Sequence, residues 1–173
     1  PNLQNIPIRS ETGHAIRGAF IAEPGHTLLS VDYSQIELRL FAHLSGDKNM
    51  VKAFREGQDI HQSTAATIEG IPLESVTKEQ RYRAKAVNFG ILYGISAFGL
   101  SNNIGCSRTE AQSIIDAYFK AFPQIKSFME ATIEETKASG CVYTEFGRKR
   151  PIPDIKSSQK NKRKFAERTA INT

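Results

Sequence analysis

The chain is poor in cysteine: Cys106 and Cys141 are the only two, they stand far apart, and neither has a neighbour at metal-ligand spacing. That argues against a disulfide-stapled scaffold or a cysteine-bound metal, and the pair reads as free thiols of a reducing compartment. No apolar run is long enough to span a bilayer and no signal peptide opens the sequence, so the expectation is a cytoplasmic protein with no membrane role. Internal repeats and low-complexity linkers are also lacking. Acidic residues are in deficit, 18 Asp and Glu against 23 Lys and Arg, which gives a formal net charge of +5 and a pI of about 9.3. That balance permits a polyanionic partner without requiring one. There is no initiator methionine, and no helix-stop signal follows Ala170-Ile171-Asn172, so the sequence reads as a piece of a longer protein. Its 173 residues, 39% of them hydrophobic, are enough for a single compact unit with a real core.

Local patterns place the elements. Pro1 to Gly13 reads as an extended arm. Ile16–Ala22 and Thr27–Tyr33 are β-prone runs joined by Glu23-Pro24-Gly25-His26, the pattern of an antiparallel hairpin. From Ser34, a candidate cap, the pattern turns helical through Ile36, Leu40, Phe41 and Leu44. A helix over Lys48–Glu56 ends at Gly57; Asp59 caps the next, which stops at Gly70. Thr77 and Gln80 form a capping box, as do Ser107 and Glu110. Pro123 suits the first turn of a helix that stops at Gly140, and Cys141–Ile152 reads as a β-hairpin. From Arg148 onward, Arg148, Lys149, Arg150, Lys156, Lys160, Lys162, Arg163, Lys164 and Arg168 face only Asp154 and Glu167. Such a cluster is a solvated face or a track for a nucleic-acid backbone.

The most informative stretch is Arg81 to Gly94. Arg81, Lys85, Phe89 and Tyr93 are four apart, so on a helix they form one slanted stripe that drifts only about 40° per step. Cations at a helix N-terminus oppose the macrodipole. A ligand with a polyanionic end and a flat end, such as a nucleoside triphosphate, would offset the misplacement. On spacing alone a core face fits as well. Gly90 and Gly94 leave backbone open, where a base or a template strand could approach.

Arg-x-x-x-Lys-x-x-x-Phe-Gly-x-x-Tyr-Gly resembles motif B of family A DNA polymerases, and Asp32-Tyr33-Ser34-Gln35-Ile36-Glu37-Leu38-Arg39 resembles motif A. The likeness covers essentially the whole chain, from Pro1-Asn2-Leu3-Gln4-Asn5-Ile6-Pro7 to Arg168-Thr169-Ala170-Ile171-Asn172, and is nearest the bacterial DNA polymerase I group. It implies an α+β fold, a mostly helical fingers subdomain packed on part of an antiparallel palm sheet, as a fragment of a right-hand polymerase domain. Residues 1–60 would be the first part of the palm, 61–155 the fingers with the motif B helix at 78–94, and 156–173 a basic helix returning to the palm. The thumb, the exonuclease region and the motif with the second catalytic carboxylate would lie outside this sequence, which contains no His-Asp pair. The chain alone would then be inactive.

The resemblance also implies roles. Asp32 and the Tyr33 carbonyl bind two Mg²⁺ ions with that second carboxylate. Gln35, Glu37, His61, Arg81, Lys85, Phe89 and Tyr93 form the dNTP site; Lys85 is also catalytic, protonating the leaving pyrophosphate. Glu37 is the steric gate against a ribose 2′-hydroxyl, and Tyr93 holds the template-base position while the site is open. Arg9, Arg168 and Asn172 contact primer–template DNA. The parent enzyme is expected to be a monomeric DNA-directed DNA polymerase. A non-catalytic nucleic-acid-binding fragment is the alternative for the chain itself, and a single-subunit RNA polymerase is opposed by Glu37.

Overall fold

The computed structural model describes residues 5–8 and 10–173; the DNA contact expected of Arg9 lies outside them. In place of one compact unit, the chain divides into Pro1–Ser34 and Gln35–Thr173.

In the first unit helix α1 (Glu11–Gly18) takes in the last residues of the expected arm, so Glu11 to Gly13 are helical, not extended. Ser10 caps it, its hydroxyl accepting the Gly13 N–H at 3.1 Å. Gly13 is held to glycine by close approach, since a Cβ would run into the Pro7 carbonyl. Arg17 donates from Nη2 to the Ile6 carbonyl at 2.8 Å, tying the helix to the residues before it. The hairpin expected over Ile16–Ala22 and Thr27–Tyr33 does not form. Its turn is present, with His26 N–H donating to the Glu23 carbonyl at 2.9 Å, but Ile16 belongs to α1 and no described residue of the unit is in a strand. A two-stranded ribbon is marginal without a further strand or helix to cover its apolar face. Leu28, Leu29 and Val31 are 63%, 86% and 80% exposed, so no such cover exists here.

The second unit is built of helices α2 (Ile36–Ser45), α3 (Lys48–Arg55), α4 (Ile60–Glu69), α5 (Lys78–Leu92), α6 (Ala97–Ile104), α7 (Arg108–Ala121) and α8 (Pro123–Ser139). A two-stranded antiparallel sheet follows, β1 (Cys141–Tyr143) and β2 (Lys149–Pro151), with Cys141 opposite Pro151 and Tyr143 opposite Lys149. Helix α9 (Lys160–Ile171) closes the chain. The class is therefore α+β, mostly helical with a small antiparallel sheet.

Caps written in the sequence set where the helices start. Asp47, Asp59, Thr77, Ser96 and Ser107 cap α3 to α7, and the Thr77–Gln80 box is reciprocal. Ser34 does not cap α2. The chain enters that helix through Gln35 in the left-handed region (φ 55°), so the cap falls one residue later. A non-glycine residue there stores strain of about 1–3 kcal/mol.

The core lies between α2, α5, α6, α7 and α8. Leu38, Phe41, Val87, Leu100, Tyr118 and Ile125 are all at most 3% exposed, each contributing about 1.5–3 kcal/mol if an aliphatic or aromatic side chain of this size is fully buried. Helix α4 packs along α5, and α6 along α7. A smaller cluster of Ile152, Ile155, Ala166 and Ala170 seats α9 against the segment after β2.

Candidate functional site

Helix α5 has two faces with different work. Ala84, Val87, Asn88 and Ile91 are buried, spaced i, i+3, i+4, i+7 as a core stripe should be. The adjoining stripe is Arg81 and Lys85, both exposed, then half-buried Phe89, then Tyr93 at the C-cap. The capping box fixes this register, so the order of cations then rings follows from Thr77 and Gln80.

Arg81 is not left to oppose the helix dipole alone. Its Nε and Nη2 donate to Asp59 Oδ2 at 3.0 and 2.7 Å. Asp59 Oδ1 accepts the His61 and Gln62 amides, both at 3.0 Å. One carboxylate thus caps α4 and anchors Arg81. Burial pushes the Asp59 carboxyl up, but the Arg81 bond and charge and the two amides outweigh it and hold it below the usual carboxylate value. Lys85 has no ion pair among the described residues. Lys85 lies in the middle of α5, past the first turn in which the dipole acts, so its charge is unpaired among the described residues without being misplaced.

His61 comes from α4 and is 1% exposed. Its ring centroid lies 5.7 Å from that of Phe89. Its Nδ1 is 3.0 Å from Asn88 Nδ2, while Nε2 is buried with no hydrogen-bond partner among the described residues. Asn88 Nδ2 also donates to Thr64 Oγ1 at 3.1 Å, and that hydroxyl donates to the Ile60 carbonyl at 2.7 Å. Burial pushes the His61 imidazole below its usual value; Asp59 pulls it up, while Arg81 and Lys85 add to the lowering.

A second grouping surrounds the C-terminal end of α5. Tyr93 Oη donates to Glu37 Oε2 at 2.5 Å, joining α5 to α2. That bond, with burial and the carboxylate charge behind it, raises the Tyr93 phenol. Glu37, Tyr93 and Asn172 line one cleft of about 190 Å³, floored by Leu40, Phe41 and Phe128. Helix α5 ends in a Schellman turn: Ile95 N–H donates to the Gly90 carbonyl at 2.8 Å and Gly94 N–H to the Ile91 carbonyl at 2.9 Å, with Gly94 at φ 65°. The open backbone expected at the two glycines is filled instead. A Cβ on Gly90 would stand 2.8 Å from Ile95 Cγ2, and one on Gly94 would stand 2.7 Å from Arg168 Cγ. The Arg168 stem covers the end of α5, and its guanidinium lies 5.9 Å from the Phe165 ring. Arg168 and Asn172 share a face of α9, joined by Asn172 N–H to the Arg168 carbonyl at 3.1 Å.

Asp32 and Tyr33 lie in the first compact unit, both exposed. Gln35 has its Oε1 buried, with no hydrogen-bond partner among the described residues. Among the described residues no three His, Cys, Asp or Glu side chains converge as a metal-binding group, and no helix is long and apolar enough to cross a membrane. The residues that sequence reasoning passed over are Thr64 and Asn88, and Asp59 as the Arg81 anchor. Asn88 carried a usable signal, an amide on an otherwise apolar stripe. Asp59 and Thr64 carried none, because their contacts are made by packing α4 on α5.

The model of DNA polymerase family A matches residues 1–173, and the chain belongs to that family. DNA polymerase I of Streptococcus pneumoniae (strain R6) is 56% identical over 175 residues, which is 100% of this chain and 20% of that protein. The thermostable DNA polymerase I of Thermus aquaticus is 50% identical over 172 residues, 99% of this chain and 21% of that one. A solved structure, the POL domain of Pol1 from M. smegmatis in complex with DNA primer-template and dNTP, superposes with a TM-score of 0.88 at 39% identity, covering 99% of this chain and 30% of that one. The chain thus spans about a fifth of the length of the curated relatives it matches.

Proposed function

We propose that this chain is the incoming-nucleotide part of a template-directed DNA polymerase, which adds dNTPs to a primer 3′-end by two-metal phosphoryl transfer. The observation that carries the reading is the α5 stripe, in which Arg81 and Lys85 lead to Phe89 with His61 buried against that ring. A triphosphate is polyanionic at one end and flat at the other, and this order fits it. The M. smegmatis relative was solved with primer-template and dNTP, and the same two partners are taken for this chain. Residues 1–60 are then the first part of the palm, 61–155 the fingers and 156–173 the returning basic helix, in a monomeric parent enzyme.

Arg81, Lys85 and His61 bind phosphate oxygens, and Lys85 gives a proton to the leaving pyrophosphate. Phe89 packs on sugar and base. Gln35 and Glu37 border the sugar, and Tyr93 keeps the template-base position until the fingers close. Arg168 and Asn172 face the minor groove, where acceptors recur at similar places on every base pair, so a donor tests pair shape without reading sequence.

Asp32 offers an exposed carboxylate and Tyr33 a carbonyl, hard oxygens of the kind Mg²⁺ takes one or two at a time. They fit part of a metal site. Bound Mg²⁺ would stabilise charge on the transferring phosphoryl group. The sequence has no His-Asp pair to supply a second carboxylate, so the purified 173-residue chain should not extend a primer with template, dNTPs and Mg²⁺. Robust templated extension would overturn that part of the reading.

Phe89 supplies the test of the nucleotide site. A dideoxynucleotide lacks the 3′-hydroxyl that otherwise bonds within its own triphosphate tail, and phenylalanine offers nothing in its place. Tyrosine adds a donor at nearly the same shape. A hydrogen bond to a charged group contributes ~1.5–3 kcal/mol, and 1.36 kcal/mol or so is about tenfold in rate. Phe89→Tyr in the full-length polymerase should raise dideoxynucleotide use by about tenfold with dNTP use nearly unchanged. Competition between the two substrates at one template position measures it; equal loss of both would mean that Phe89 only packs the core.

A further inference from the structure

We infer that Asn88 is a positioning residue whose amide fixes His61 as the neutral tautomer protonated at Nε2, making that N–H the donor offered to the substrate triphosphate. The last clause rests on the nucleotide-binding reading above; the tautomer assignment does not.

Asn88 is wholly buried. A buried primary amide must have its two N–H groups and its carbonyl met, or it destabilises the core. Its partners therefore say what holds it there. Nδ2 lies 3.0 Å from His61 Nδ1 and 3.1 Å from Thr64 Oγ1, and Oδ1 lies 3.2 Å from the same hydroxyl. An amide nitrogen has only protons to give, so Nδ1 must accept, and a neutral ring that accepts at Nδ1 carries its proton at Nε2. The Thr64 hydroxyl has one proton and two acceptors in reach, the Ile60 carbonyl at 2.7 Å and Asn88 Oδ1 at 3.2 Å. Whichever of the two takes the Thr64 proton, His61 Nδ1 receives from Asn88 Nδ2.

The imidazolium form is disfavoured at the same place. It would set an N–H at Nδ1 against the amide N–H, and burial and the Arg81 and Lys85 charges oppose it, with Asp59 the one group pulling the other way. The ring thus keeps one proton, on the buried nitrogen that has no partner among the described residues. A buried donor without an acceptor is costly. It is explained where an acceptor arrives in the working state, and a triphosphate oxygen lying along Arg81, Lys85 and Phe89 is such an acceptor. A neutral donor also gives direction to the contact without adding a third positive charge that would retain pyrophosphate.

Two measurements on the full-length polymerase carrying this segment test the inference. The first is solid-state NMR of ¹⁵N-histidine-labelled enzyme without nucleotide, with His61 identified by subtracting the His61→Phe spectrum. It should show Nε2 protonated and Nδ1 bare. A protonated Nδ1 overturns the inference whatever His61 binds, and this result needs no substitution at Asn88. The second is single-nucleotide insertion kinetics. Asn88→Leu should raise KM for dNTP by about tenfold, the loss of one hydrogen bond to a charged group, with kcat little changed. The same change in a His61→Phe background should add nothing. An undiminished effect in that background makes Asn88 a packing residue and overturns the coupling. If His61→Phe leaves KM unchanged, the triphosphate role of His61 fails while the NMR result still decides the tautomer.

Discussion

Lys85→Ala in the full-length polymerase should lower templated dNTP incorporation by about 10²–10³-fold, the usual loss when one preorganised charge-stabilising group is removed from a reacting centre. Arg81→Ala should cost less, about tenfold. The difference comes from how each cation is held. Arg81 donates through Nε and Nη2 to Asp59, which leaves Nη1 for a phosphate oxygen and keeps part of its charge balanced by a carboxylate. The pair is well exposed, 44% and 36%, so re-sharing the guanidinium between carboxylate and phosphate costs little. Lys85 has no such partner among the described residues, and its three N–H groups are all available. It is also the group assigned to protonate pyrophosphate, so its loss removes a proton donor as well as a charge. Single-turnover incorporation at saturating dNTP separates the two, because a chemical role survives saturation and a binding role does not. A Lys85→Ala loss no larger than that of Arg81→Ala would remove Lys85 from the catalytic step.

The contrast between these two residues was not visible in the sequence, although the stripe that carries them was. The stripe is legible because helical spacing and the Thr77–Gln80 box are local properties, and the structure keeps that register. What spacing cannot say is which side chain on a packed neighbour meets a given position. Asp59 is 22 residues from Arg81, Thr64 is 24 from Asn88 and Glu37 is 56 from Tyr93; each contact exists only because α4 or α2 packs on α5. The hairpin of the first unit failed for a related reason. β-propensity reports fit to a half-buried pleated surface, and Leu28, Leu29 and Val31 have no such surface over them. The hairpin at β1 and β2 was recovered because its tight turn is local, with Gly147 N–H donating to the Thr144 carbonyl at 2.8 Å and Arg148 N–H to Thr144 Oγ1 at 3.1 Å. Gly90 and Gly94 show the converse. They were read as exposed backbone, but Gly90 is filled by Ile95, five residues on through the Schellman turn, and Gly94 by the stem of Arg168; only the second is long-range and leaves no trace in the glycine's neighbours in sequence.

Glu37→Ala should relax discrimination against ribonucleotides by about 10–100-fold while slowing dNTP addition much less. The carboxylate is not a loose surface group. Tyr93 Oη donates to it at 2.5 Å, and both residues line the cleft shared with Asn172. A side chain pinned from one side presents a fixed wall, and forcing an extra hydroxyl against a fixed wall costs ~1–3 kcal/mol, as overpacking does. Removing the wall removes that penalty for the ribonucleotide and takes little from the deoxynucleotide, which has no 2′-hydroxyl. The pinning itself can be tested separately. Tyr93→Phe keeps the ring and the carboxylate but deletes the hydroxyl, so Glu37 can swing. Discrimination should then fall to a value between those of the unmodified enzyme and Glu37→Ala. In the double substitution Tyr93→Phe should add nothing to Glu37→Ala, because there is no carboxylate left to hold. Competition between ribo- and deoxynucleotides opposite one template base gives all four values. An unchanged preference in Glu37→Ala would remove the gate from this position, and additive effects in the double substitution would mean that Tyr93 and Glu37 act on the sugar independently despite their bond.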